Sequence, residues 1–395
     1  MLTALPPVRR MRQELIASQA LNAQLQAGNA AGFEVSRQVS TGSFRPNLML
    51  APVAGCTGPA PADDSGIVER AVKAYNLAAK EQSSGSGSMW EGFFQQKVSA
   101  IHRVFRQEDF GAAAAILRDP SSSDLFFGFD SLGLVSRATF EDPGARQLHA
   151  AECLGGLVRL AEAIGALRLY NPAQALSQVT PLAADPVISA IEKVMGIALS
   201  FPNPFPNEHG LRTERGIVSY RAPQSLYQAW RIRQLVKGIS RPRVLEIGAG
   251  LGRTAHFARA LGIMDYTIID LPFTGISQGY FLARTLGEDS VVLYGEQPAS
   301  GGVRVRILPP SAFLAGRDTY DLIFNADSLT EMSSETARAY WARIESSTPQ
   351  FLSINHETNS LTVKELIDGS ARVATFERQP YWMRIGYVEE LVRFG

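Results

Sequence analysis

The sequence predicts an α/β protein in two parts: a mainly helical segment over residues 1–200, and a mostly parallel, helix-covered sheet with an antiparallel edge hairpin over 201–395. Three observations predict this. After residue 219 short β-branched and aliphatic runs alternate with helical patterns, which is the signature of parallel strands covered on both faces. Between residues 89 and 200 helical periodicity dominates and strand signals are scarce. A chain of 395 residues is also too long for one ordinary compact domain.

Taken in order, MRQELIASQALNAQLQA (11–27) spaces its apolar residues three and four apart and predicts an amphipathic helix that covers the body or a second subunit, leaving room for a homodimer. Residues 51–66, rich in Pro, Gly and Ala, and SSGSGS (83–88) predict loops on either side of a short helical segment. WEGFFQQKVSAIHRVF (90–105), GAAAAILRD (111–119), the stretch 145–170 and VISAIEKVMGIAL (187–199) predict further helices. Trp90, Phe93 and Phe94 are expected to anchor this part. Pro202, Pro204 and Pro206 interrupt any helix, so a boundary loop is expected over 201–216. QSLYQAWRIRQLVKGI (224–239) then leads as a helix into strands expected at 243–247, 265–270, 290–294, 304–308, 320–325 and 350–355, with one ambiguous member between 290 and 308. The end, RVATFERQPYWMRIGYVEELVRF (372–394), predicts the hairpin.

Composition narrows the function classes. Hydrophobic residues make up 45% and charged residues 19%, the balance of a chain with a substantial core. The 38 basic side chains equal the 38 acidic ones, so no global field attracts nucleic acid or an anionic membrane. Cys56 and Cys153 stand alone and form neither a disulfide framework nor a zinc site. The amino terminus lacks the apolar run of a signal peptide or membrane span, so a cytoplasmic enzyme is expected.

The densest signal is Glu246-Ile-Gly-Ala-Gly-Leu-Gly252, between a strand and a helix expected over 254–261. Glycines let the chain turn sharply and let a ligand approach without a Cβ in the way. A dinucleotide fingerprint would put its third glycine at 253, where Arg253 stands, so the spacing favours a nucleoside cofactor without a pyrophosphate. Asp270 closes the next strand, where its carboxylate can accept both hydroxyl hydrogens of a ribose, and Glu246 can orient the loop or meet a cationic ligand end. The purely structural alternative is a glycine turn that serves packing.

These features resemble the first two motifs of class I S-adenosylmethionine (SAM) dependent methyltransferases. YTIIDLP (266–272), YFL (280–282), NADSLTEM (325–332) and SINHE (353–357) are similar to a sugar O-methyltransferase family over roughly residues 200–360, and more loosely through FFGF (126–129). The resemblance implies a Rossmann-like fold with a seven-stranded sheet, and SAM held by Glu246, Gly248, Ala249, Gly250, Gly252, Asp270 and Leu271. It implies a small-molecule acceptor, a hydroxyl of a deoxysugar or glycosylated natural product. One departure is the third strand's end, Leu308-Pro309-Pro310-Ser311, which offers no carboxylate to adenine.

Residues just after the fourth and fifth strands should face the acceptor. His356 is the candidate base, with a strand-end histidine satisfied by hydrogen bonds as the bland alternative. Asp327 can orient His356, bind hydroxyls or be the base; Glu331 follows one helical turn later, and Glu357 completes the candidate catalytic set. A metal-free site is expected, with a divalent cation such as Mg²⁺ on these carboxylates as the alternative. His102, His149 and His256 sit in helical patterns and are expected to serve packing. Arg215, Tyr220 and Arg221 could close over a ligand or form a structural arm. A nicotinamide oxidoreductase is disfavoured by Arg253, and a silent binding protein by the intact glycine loop.

Overall fold

The computed structural model describes residues 49, 52–53, 63–81, 99–120, 123, 125, 143–169, 181–206, 208–297 and 304–395. The helix expected at 11–27, the loop at 83–88, Cys56, the three anchoring aromatics and the string at 126–129 lie outside those residues.

The first part contains α1 (Ser65–Glu81), α2 (Ser99–Arg106), α3 (Phe110–Arg118), α4 (Pro143–Ala163) and α5 (Ala184–Met195). Asp109 caps α3 by accepting from the Ala112 amide at 3.0 Å, and Gly196 closes α5 in the left-handed conformation. The expected loop at 201–216 is partly a strand. β1 (Pro52–Val53), β2 (Gly210–Thr213) and β3 (Gly216–Val218) form a small antiparallel sheet. The Asn203 side chain accepts from the Ile217 amide at 2.8 Å and donates to its carbonyl at 3.1 Å, so it supplies the bonds another strand would give β3.

After α6 (Ala222–Leu235) comes the large sheet: β4 (Arg243–Ile247), β5 (Asp265–Ile269), β6 (Val291–Val292), β7 (Val305–Leu308), β8 (Leu322–Ala326), β9 (Gln350–His356), β10 (Val373–Pro380) and β11 (Tyr387–Phe394). Its order is β10-β11-β9-β8-β4-β5-β7-β6. The pairs from β9 to β6 are parallel, and β11 lies antiparallel between β9 and β10. The fold is Rossmann-like, with eight strands in this sheet among the described residues rather than seven. The extra member is β6, cut to two residues by a 3-10 turn before it and a turn after Leu293.

Strand alternation divides the core. Val244, Tyr266, Phe324 and Leu352 pack with α6, α7 (Arg253–Ala260) and α8 (Pro272–Leu286); Leu245, Ile269, Ile323 and Phe351 pack with α9 (Pro310–Leu314), α10 (Ser334–Ser347) and α11 (Val363–Asp368). Val72, Leu117, Leu154 and Ile188 of the helical part belong to the first of these clusters. Asp64, 1% exposed at the foot of α1, receives the Tyr280 hydroxyl of α8 at 2.6 Å and pairs with Arg118 of α3. No helix among the described residues is long and apolar enough to cross a membrane.

Candidate active site

From β4 the chain steps through β5 to β7 on one side and returns to β8 and β9 on the other. The winding therefore reverses between β4 and β8, the place where open α/β sheets bind ligands beyond their strand ends. A cleft of about 740 Å³ opens there, lined by Glu246, Gly248, Ala249, Gly250, Asp270 and Leu271 at one end and by Asp327, Glu331 and His356 further along.

The glycine loop is shaped by its backbone. Gly248, Gly250 and Gly252 have φ of +70°, +54° and +90°, a region that side chains disfavour. A Cβ on Gly248 would stand 2.1 Å from Ser328 Oγ, so the loop lies directly against the turn after β8. Gly252 serves packing rather than the cleft lining: a Cβ there would meet Leu282 of α8 at 3.1 Å.

Asp270 ties the loop to the second strand. Its carboxylate accepts from the Ala249 amide at 2.9 Å, the Leu271 amide at 2.8 Å and Gln278 Nε2 at 2.6 Å. The Thr274 side chain bonds it as well, so the roughly four acceptor sites of a carboxylate are all engaged. Burial pushes Asp270 up to about 6. Glu246, 2% exposed, accepts from the Tyr266 hydroxyl at 2.9 Å; burial, which that bond opposes and Asp270 reinforces, pushes it up to about 8. A cationic ligand group would restore its charge.

The turn after β8 rests on a buried amide ladder. Asn355 Nδ2 donates to Asn325 Oδ1 at 3.0 Å, Asn325 Nδ2 donates to the Ile247 carbonyl at 2.8 Å, and Ser328 Oγ reaches the same carbonyl at 2.9 Å. Asp327, with φ of +66°, follows β8 and opens a short 3-10 turn that ends at Glu331. Its carboxylate lies 3.8 Å from Arg221 and 3.7 Å from Arg384. It does not orient His356. The His356 Nδ1 instead meets Thr358, whose hydroxyl is at 2.6 Å and amide at 3.3 Å. The His356 ring stands edge-on to Tyr387, centroids 5.4 Å apart. Glu357 points elsewhere and does not line the cleft; Arg378 of β10 binds it at 2.7 Å and holds its carboxyl below the usual range. β9 ends at His356, and the chain bends at Glu357 away from the cleft.

Two contributions were not legible in the sequence. Glu81, the last residue of α1, lines the cleft beside Pro309 and Ser311. It accepts from Ser311 Oγ at 2.6 Å and from the Tyr294 hydroxyl, and both bonds keep its carboxyl below the usual range. Arg384 comes from the turn between β10 and β11, where Trp382 and Arg159 of α4 exchange side chain to backbone bonds at 3.1 and 2.9 Å. Of the three residues flagged before the sheet, Arg221 lines the cleft and Arg215 pairs away from it with Asp185 and Glu192. His256 packs against Phe257 and Phe281, and burial pushes it down to about 4. Among the described residues no three His, Cys, Asp or Glu side chains are grouped to hold a metal ion.

No family model matches the chain, and no curated protein does. Among solved structures it is similar to magnesium protoporphyrin IX methyltransferase from Synechocystis PCC 6803 with bound SAM, at 12% identity and TM-score 0.31, covering 44% of this chain and 83% of that one. The glycopeptide N-methyltransferase MtfA in complex with S-adenosylhomocysteine matches at 16% identity and TM-score 0.32, covering 42% and 89%. A Thermoplasma acidophilum protein matches at 16% identity and TM-score 0.31, covering 44% and 89%.

Proposed function

We propose that this chain is a SAM-dependent methyltransferase acting on a hydroxyl of a small molecule, a deoxysugar or glycosylated natural product. The observation that carries the reading is the convergence in one cleft of the glycine loop, the Asp270 carboxylate and the buried Glu246, with Asp327 and His356 beyond them. Asp270 would take the ribose, Glu246 would face the cationic amino group, and Glu81 would accept from the adenine amine, supplying the carboxylate that the end of β7 lacks. Bound there, the cofactor supplies a sulfonium methyl carbon open to in-line attack by an oxygen.

His356 is the base of this reading. The Thr358 amide donates to Nδ1 at 3.3 Å; His356 would act as the base in the other tautomer, with the Nδ1 proton turned to the Thr358 hydroxyl at 2.6 Å and the Nε2 lone pair taking the acceptor's proton. Asp327 would hold the acceptor hydroxyl in line.

Calorimetric titration with S-adenosylhomocysteine, with NAD and NADP as controls, tests the cofactor class. Micromolar binding of the first alone is expected; binding of a dinucleotide instead would sink the reading. With a turned-over acceptor in hand, Asp270→Ala should weaken binding at least tenfold, while His356→Ala should keep binding and lose turnover. Equal loss of binding in both would end that division of roles.

A further inference from the structure

Beyond the glycine loop, three polar groups face one another with bonding capacity unspent among the described residues. Asp327 Oδ1 and Arg221 Nε are buried and have no hydrogen-bond partner there. The Arg384 guanidinium lies 3.7 Å from the Asp327 carboxylate and 4.2 Å from the Tyr387 ring centroid, with Tyr220 and Tyr381 also near it. Arg221 Nη1 is 3.8 Å from the same Oδ2. Both separations exceed the roughly 3 Å of a direct charge-assisted bond. The Tyr387 hydroxyl lies near Asp327, and burial together with that carboxylate pushes its pKa up.

Two other arginines are paired directly. Arg215 meets Glu192 at 2.9 Å and Arg253 meets Glu208 at 2.8 Å. Arg221 and Arg384 are only 23% and 25% exposed. They share one carboxylate between two guanidinium groups, so one positive charge is uncompensated. Such a group is costly in a folded protein unless water, an ion or a ligand meets it. A guanidinium fork fits a planar carboxylate with two parallel bonds.

We propose that Arg221 and Arg384 receive a carboxylate of a bound ligand. This rests on the methyltransferase reading, under which two ligands can bring one: the amino-acid tail of the cofactor, or an acidic acceptor such as a uronic acid. Asp327 follows the strand two places along from the one that Asp270 follows, roughly 10 Å by strand spacing. That separation suits either source.

The test uses the full chain and its Arg221→Gln and Arg384→Gln variants, with thermal melting to check the fold. Three probes separate the sources: S-adenosylhomocysteine, 5′-methylthioadenosine, which lacks the tail, and glucuronate titrated against glucose with S-adenosylhomocysteine saturating. Methylthioadenosine should bind all proteins alike. A loss of tenfold or more for S-adenosylhomocysteine supports the cofactor tail as the source; the same loss for glucuronate supports the acceptor. Unchanged affinity for both carboxylates in both variants would overturn the inference alone. If the wild-type protein binds neither adenosine compound, the cofactor reading fails and takes the inference with it. Arg221→Lys and Arg384→Lys, which keep the charge, should recover part of the affinity and serve if the glutamine variants melt early.

Discussion

Glu246 shows how one residue sets a pH dependence. Its folded value of about 8 lies above the ordinary 4.5. The stability from its neutral form is therefore fully present below about 4.5 and is lost as pH rises to about 8. Glu246→Gln removes that loss. The ligand-free variant should melt close to wild type at pH 5 and above it at pH 8.5, by a few kcal/mol, or roughly 4–8 °C. Asp270, raised in the same direction to about 6, stays in both proteins and cancels from the difference. A gap that does not change with pH would show that Glu246 is not buried as described. The sequence already marked Glu246, Asp270 and the glycines, because strand, turn and strand end are set by neighbours in the chain. It could not separate His356 from Glu357, since which of two adjacent residues faces the cleft depends on where β9 ends and the chain bends.

At the scale of elements, α1 is pinned to the sheet domain through a buried carboxylate. The Arg118 hydrogen bonds hold Asp64 below its ordinary 3.8 against burial, with help from Tyr280. The stability it contributes is thus present above that value and lost as pH falls through the depressed one. Asp64→Ala should cost about 2 kcal/mol at pH 7, because Tyr280 loses an acceptor while the half-exposed Arg118 regains water. In urea the gap between the two midpoints should close in acid below about pH 4; a gap that persists there would place the cost in packing. This contact spans 216 residues, and no local pattern announces it. Elements with strong periodicity, such as α3, α5 and β4, were readable for the opposite reason. The strands at 210–218 were hidden because their ladder is completed by an asparagine side chain from the proline-rich segment.

The molecule as a whole is built around a cleft with walls from both parts of the chain. A ligand at one hundred times its dissociation constant should add about 2.7 kcal/mol to stability. With S-adenosylhomocysteine bound, amide hydrogen exchange should slow in the last turn of α1 as well as in the glycine loop. Protection confined to residues after 220 would show that the helical part stands apart from the bound ligand.

Glu81 carries the last consequence. If the proposed cofactor contact of Glu81 holds, a side chain from outside the large sheet would make docking of α1 and occupancy of the cleft reciprocal: whatever factor the ligand adds to the helix's hold, the helix adds to the ligand's. Any event that pries α1 loose, on a surface far from the reacting atoms, would then be felt as release of the ligand.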